Sequence, residues 1–192
     1  MAENPRPFVT LFTRCYKRPK ALAVCNASVE LQSVQDYQRV FIVDEIGRGL
    51  EWADAQFYER RHEALGRYVY MLDDDNILAH ANVIEKWRWV TTLTGCEVMM
   101  FKAGYADLGI LPQDDCWMQP PVHGRISPLN ALVSRELFLK HIDKWRGAYV
   151  GDFEYLQAVM ADETASIVWL DDVMAYCQRR SYGKPEEDDA AI

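Results

Sequence analysis

Three consecutive acids, Asp73, Asp74 and Asp75, followed by Asn76, close the apolar run Tyr68-Val69-Tyr70-Met71-Leu72. Carboxylates one residue apart, as at Asp73 and Asp75, can both reach one hard cation, or the ligands it carries. Crowded in a partly dry cleft without a cation, they would repel each other by roughly several kcal/mol. A solvated turn that merely caps a helix needs only one or two such residues. An EF-hand loop fits poorly, because Ile77 stands at its fifth position and no glycine at its sixth. A further carboxylate, Asp152, lies in Gly147-Ala148-Tyr149-Val150-Gly151-Asp152-Phe153-Glu154. It can take the proton of a hydroxyl that is otherwise a poor nucleophile, or it can cap the helix expected after it; Glu154 is the reserve. Thr13-Arg14 and Asp44 end two other apolar runs.

These groups need strands whose ends meet. The runs 8–13, 39–43, 68–72 and 97–101 are short, apolar and rich in β-branched and aromatic residues, which predicts buried strands. Helical spacing covers 20–33, 53–65 and 81–94, where Val83, Ile84, Trp87 and Val90 share a side. Strands alternating with helices predict an α/β fold whose central sheet is mostly parallel and flanked by helices on both faces. Ligands of such sheets sit beyond the carboxyl ends of the strands. Residues 102–125 hold Pro112, Pro120, Pro121 and several glycines and read as a long functional loop. Helices near 134–141 and 153–160 and a late strand at 166–170 follow.

At 192 residues the chain fits a single domain, expected over 1–183, with 184–192 as a flexible acidic tail. Its net charge of −8 disfavours nucleic acid and anionic lipid as partners. No apolar run reaches the length of a membrane span, and the polar start, residues 1–7, has no signal-peptide pattern, so a cytoplasmic protein is expected. The five cysteines are odd in number and lack a Cys-x-x-Cys pair, which predicts reduced and mostly buried thiols.

The segment Gly66-Arg67-Tyr68-Val69-Tyr70-Met71-Leu72-Asp73-Asp74-Asp75-Asn76 resembles the DxD region of GT-A glycosyltransferases of the family 2 type. In the same order, Thr10-Leu11-Phe12-Thr13-Arg14-Cys15-Tyr16-Lys17-Arg18-Pro19 looks like that family's first strand and loop, and Phe41-Ile42-Val43-Asp44 like its second strand with a nucleotide-binding Asp. The resemblance implies a single GT-A domain, with residues 8–101 binding a nucleotide-diphosphate sugar, a UDP-sugar by preference, and 102–183 serving an acceptor of unknown identity. It implies a nucleotide-binding set of Thr13, Arg14, Asp44, Asp73 and Asp74. Within that set Thr13 and Asp44 would contact base or ribose and Asp73 the ribose. Asp75, with Asp73, would hold a divalent metal, Mn2+ or Mg2+. The stretch around Asp152 resembles the family's Glu-Asp-x-Glu-Leu motif, which makes Asp152 the general base of an inverting enzyme. Two departures stand out: Glu45-Ile46-Gly47 replaces the common Asp-Gly-Ser, and no histidine follows His141 to complete a metal shell.

Arg48 and Arg125 are further candidates for phosphate contact, and Trp117, Trp145 and Tyr149 for stacking on sugar, although lone arginines are usually solvated and aromatics usually core. His123 lies in a loop expected near the acceptor. Two rival readings are a phosphohydrolase of the haloacid dehalogenase kind, with Asp171-Asp172 as its late acid pair, and a noncatalytic nucleotide- or sugar-binding module on the same fold.

Overall fold

A computed structural model of the chain describes residues 6–146 and 150–178. Eight strands are found there: β1 Val9–Cys15, β2 Tyr37–Val43, β3 Tyr68–Met71, β4 Asn76–Leu78, β5 Val98–Tyr105, β6 Gly109–Leu111, β7 Ala131–Ser134 and β8 Ile167–Cys177. The helices are α1 Pro19–Glu30, α2 Leu50–Glu59, α3 Val83–Thr94, α4 Arg135–His141 and α5 Gly151–Met160. Pro19 opens α1, where its missing N–H costs nothing. The hydroxyl of Ser134 caps α4 by accepting from the Leu137 N–H.

All eight strands join one sheet, ordered β2-β1-β3-β7-β5-β8-β4, with β6 on the side of β5. The α/β expectation holds, but the sheet is mixed. β1–β2, β1–β3 and β5–β8 pair in parallel, while β3–β7, β5–β7, β5–β6 and β4–β8 are antiparallel. The cause is β7, which comes back from the 106–130 loop and inserts between β3 and β5, so those two strands do not pair.

Period-two alternation divides the core. Val9, Leu11, Tyr68, Tyr70 and Leu72 face α1 and α3, packing on Cys25, Val29, Ile84 and Trp87. Phe12, Val69 and Met71 face the other layer, where Phe57 of α2, Phe138 of α4 and Leu156 of α5 meet them. Cys15, Cys25 and Cys96 are buried and unbridged. Burial, the main cause, pushes the Cys15 and Cys25 thiols up to about 12, so both stay protonated and inert. Among the described residues no helix is long and apolar enough to cross a membrane. The acidic tail and Tyr149 lie outside the described residues.

The approach of β1 to β3 depends on Gly66. A Cβ there would stand 2.4 Å from the Thr10 backbone N and 2.8 Å from the Tyr68 carbonyl O, and neither can swing aside. Gly66→Ala is therefore expected to destabilise the fold by about 3 kcal/mol, the upper end of overpacking costs, read as a lowered urea midpoint with an unchanged slope.

Candidate active site

The carboxyl ends of β1, β2 and β3 converge, and the same alternation that builds the core sends the acids in different directions. Asp73 falls on the α2 face with Val69 and Met71. There Arg14 grips it with two bonds, Nε to Oδ1 at 2.8 Å and Nη2 to Oδ2 at 2.5 Å. Asp74 turns toward the start of α1, where Arg18 Nη1 donates to it at 2.8 Å and the Tyr16 N–H at 2.9 Å. Asp75 Oδ2 lies 3.5 Å from the same Arg18 Nη1.

Behind Arg14 sits a partner that sequence reasoning missed. Asp54 of α2 accepts from Arg14 Nη1 at 2.6 Å and from the indole N–H of Trp145 at 3.0 Å. Burial opposes charge on Arg14, but Asp73 and then Asp54 outweigh it and hold the guanidinium protonated. Burial likewise raises the Asp54 carboxyl, which Arg14 and Trp145 only partly offset. The available signal was a carboxylate on the same helical face as Ala53 and Phe57, both buried, where an unpaired charge does not survive. Asp54→Ala leaves Arg14 Nη1 and the Trp145 indole without an acceptor. A loss of about 3 kcal/mol in chemical denaturation is expected, as for breaking one side of a buried pair.

Asp44, 5% exposed, closes β2 and organises the loop after it. Its Oδ1 accepts from the N–H groups of Ile46 at 3.3 Å and Gly47 at 2.9 Å, and Oδ2 from Gly49 at 3.0 Å. Gly47 takes φ +81 under the Tyr16 ring, where a Cβ would meet the phenol oxygen at 2.4 Å. Burial tends to raise the Asp44 carboxyl, but the backbone N–H bonds prevail and hold it below the usual carboxylate range. With the folded value below the unfolded one, its contribution is complete above about pH 4 and is lost as pH falls through the folded value. Melting temperatures of Asp44→Asn should therefore fall less steeply with acid than those of the parent.

Two clefts open on these residues. One, of about 250 Å³, is walled by Asp44, Gly49, Leu50, Ala53, Ile42 and Tyr16 and reaches Arg14, Arg18 and Asp73 to Asp75. The other, of about 150 Å³, shares Arg14, Asp73 and Asp75 and continues to Asn76, Tyr105, Ser127 and Asp152. A wider hollow of about 860 Å³ lies beside Phe8, Gly66 and Tyr68, around the starts of β1 and β3, away from the acids. Asp152 sits in the first turn of α5, its Oδ1 accepting from the Phe153 N–H at 2.8 Å.

Of the residues expected in the site, Arg14, Asp44, Asp73, Asp74, Asp75 and Asp152 thus line these joined clefts. Thr13 does not. Two residues beyond Leu11 on β1, it points to the α1 side, is fully buried, and accepts from Arg39 Nη2 at 3.0 Å. The secondary candidates are also accounted for. Arg48 lies over the Trp52 ring, Arg125 bonds Gln113 and Asp115, Trp145 is core, and Trp117 packs edge-on against Trp169. His123 is exposed and meets the Phe153 ring edge-on at 5.3 Å.

Among the described residues no three His, Cys, Asp or Glu side chains gather as a metal cage. The donor chemistry nevertheless suits a divalent cation that brings its own ligands. Asp54, Asp73, Asp74 and Asp75 outnumber Arg14 and Arg18 by four carboxylates to two guanidiniums. Asp73 has both oxygens on Arg14, whereas Asp75 offers hard oxygen at the wall common to both clefts. One or two carboxylates plus phosphate oxygens and water is how Mg2+ and Mn2+ are commonly held beside nucleotides.

The sheet and its helical layers form a fold shared with solved glycosyltransferases. No family model matches the sequence, and no curated protein matches it either. Among solved structures, S. aureus TarS 1-349 in complex with UDP-GlcNAc superposes with a TM-score of 0.67 at 13% identity, over 93% of this chain and 60% of that one. The mannosyltransferase PcManGT from Pyrobaculum calidifontis, in complex with GDP-Man and Mn2+, gives 0.61 at 13% identity, over 93% and 59%. A glycosyltransferase involved in the glycosylation of the major capsid of PBCV-1 gives 0.51 at 12% identity, over 97% of this chain and all of that one. The chain thus spans about three fifths of the length of the first two.

Proposed function

We propose that the chain is a metal-dependent glycosyltransferase that moves a sugar from a nucleotide-diphosphate sugar, a UDP-sugar by preference, to an acceptor hydroxyl, with inversion and with Asp152 as general base. One observation carries this reading: two clefts meet at Asp73 and Asp75, one floored by Asp44 and the other ending at Asp152. The fold supports it, as do the sugar nucleotides bound in two structures that share the fold.

In this reading the base and ribose occupy the larger cleft, between Tyr16, Leu50 and Ile42. Asp44 Oδ1 already takes two backbone N–H bonds and Oδ2 takes one, and the Arg48 N–H also acts on the carboxylate, so at most one lone pair is left for the base. One acceptor site matches the single ring N–H of uracil better than the paired N–H groups of guanine. Asp73, fixed by Arg14, faces the ribose, and Arg18 and Arg14 face the diphosphate. Asp75, with Asp73 beside it, is the residue that would hold Mn2+ or Mg2+, which supplies charge to stabilise the leaving diphosphate. The acceptor O–H gives its proton to Asp152 as its oxygen bonds the anomeric carbon. The bond from that carbon to the diphosphate oxygen breaks, and its electron pair leaves with the nucleoside diphosphate.

The phosphohydrolase alternative loses its second acid pair. Asp171 is bound to Lys102 at 2.6 Å and Asp172 to Lys86, and neither lines the two clefts. The test is thermal shift with UDP, GDP, CDP and dTDP, each with and without Mn2+, followed by a screen of nucleotide sugars for metal-dependent hydrolysis. UDP and metal should stabilise jointly. Release of phosphate from an aryl phosphate, or nucleotide binding with neither hydrolysis nor transfer, would replace this function with one of the two alternatives.

A further inference from the structure

The smaller cleft has an electrostatic character that bears on what can enter it. Among the described residues its acids are Asp73, Asp75 and Asp152, and its one base is Arg14, already bound to Asp73 and Asp54. The cations of the neighbouring elements are likewise matched. Lys102 on β5 pairs with Asp171, and Arg125 in the loop before Ser127 pairs with Asp115. A nucleoside diphosphate in the adjoining cleft adds more negative charge. An anionic group arriving here therefore meets like charge from Asp75 and Asp152, and the cations of the cleft and its neighbouring elements among the described residues are already paired.

The neutral lining has its own chemistry. Tyr105 Oη and Ser127 Oγ lie 2.6 Å apart, and either can be the donor. Mainly through burial, the Tyr105 phenol is pushed well above its ordinary value and stays protonated. Two hydroxyls that both donate and accept match a ligand made of hydroxyls. Met71, Pro128 and Leu129 give the cleft apolar walls suited to the C–H face of a sugar ring. Its volume of about 150 Å³ is on the order of five water molecules, the scale of one ring.

Resting on the glycosyl-transfer reading above, we propose that the acceptor is an uncharged carbohydrate, entering as a single terminal sugar ring between the Tyr105–Ser127 hydroxyl pair and Asp152, and that phosphate-bearing acceptors are rejected. The neutral ring presents its hydroxyl to Asp152 while its C–H face lies on Pro128 and Leu129.

Saturation-transfer NMR on the full chain, loaded with Mg2+ and the nucleoside diphosphate chosen by thermal shift, tests this. The probes are methyl glycosides of glucose, galactose, mannose and N-acetylglucosamine, each beside its 6-phosphate. At least one neutral glycoside should receive saturation at its ring C–H protons and bind about tenfold or more tightly than its phosphate, with the gap narrowing as salt is raised. Tyr105→Phe should weaken the neutral glycoside. Equal or tighter binding of the 6-phosphate overturns the proposal. So does failure of every neutral glycoside to bind, including the case in which a serine peptide binds instead. Hydrolysis of a sugar nucleotide together with preference for the phosphate leaves the transfer reading intact and removes the acceptor assignment alone. Absence of any nucleoside diphosphate binding removes the transfer reading itself.

Discussion

Asp75→Asn should erase the joint stabilisation by Mn2+ and UDP while leaving the unliganded protein as stable as the parent or slightly more so. The first half follows from the donor inventory. Asp73 is tied by two bonds to Arg14, and Asp74 is 1% exposed and held by Arg18 and the Tyr16 N–H. Asp75, 3.5 Å from Arg18, is the carboxylate of the triplet that the proposal above assigns to a cation at the wall common to both clefts. An amide oxygen carries no net charge and binds a hard divalent ion far less well. At ligand near 100 times its dissociation constant the parent gains about 2.7 kcal/mol, and a domain of this size shifts by about 2–4 °C per kcal/mol. The variant should show little of that shift. The second half follows from repulsion. Burial, and to a smaller degree the charge of Asp75, push Asp74 up to about 6 against the pull of Arg18 and the Tyr16 N–H. Removing that charge relieves the repulsion between the two carboxylates. Thermal shift with and without metal reads both halves, with Asp115→Asn in the exposed loop as control. A full metal-dependent shift in Asp75→Asn would place the cation elsewhere.

Apart from the three-residue β4, the sequence carried the order of elements through the first hundred residues, because the other runs there are long enough for their period to be read. It also carried the acids at the end of β3. What it could not carry was pairing. β7 and β4 are four and three residues long, too short for periodicity. The antiparallel insertion of β7 between β3 and β5 depends on where a long loop returns, which local pattern does not encode. β8, expected to end at 170, runs to Cys177 and passes Asp75, whose carbonyl accepts from the Gln178 N–H at 2.7 Å. Facing was the second loss. Thr13 and Arg14 are neighbours on one strand, so only one of them can point into the α2 layer where Asp73 and Asp54 wait. That residue is Arg14, and a motif match which treats both alike cannot tell. Asp54 was missed for the same reason, since its meaning comes from Arg14 and Trp145, which are distant in sequence.

The other large effect is expected at Asp152, where Asn should leave nucleotide and metal binding intact and lower transfer by roughly 100- to 10,000-fold, the range for losing a positioned general base. The substitution isolates chemistry from architecture. Asp152 Oδ1 accepts the Phe153 N–H in the first turn of α5, a bond the amide oxygen of Asn can keep, so the helix start survives. What the amide cannot do is take a proton from the acceptor hydroxyl. Capping alone therefore predicts little change in rate, and catalysis predicts a fall in kcat with KM for the sugar nucleotide nearly unchanged. Donor hydrolysis separates the two further. Water needs no bulky base to reach the anomeric carbon, so residual hydrolysis should fall less than transfer in the same variant. Glu154, exposed one residue beyond Phe153, is the control: Glu154→Gln should behave as the parent. Intact transfer in Asp152→Asn would move proton removal to another group or require retention through a second displacement. Retention would need a carboxylate close to the anomeric carbon, and the clefts would then have to offer Asp73 or Asp75 for that role in place of the nucleotide.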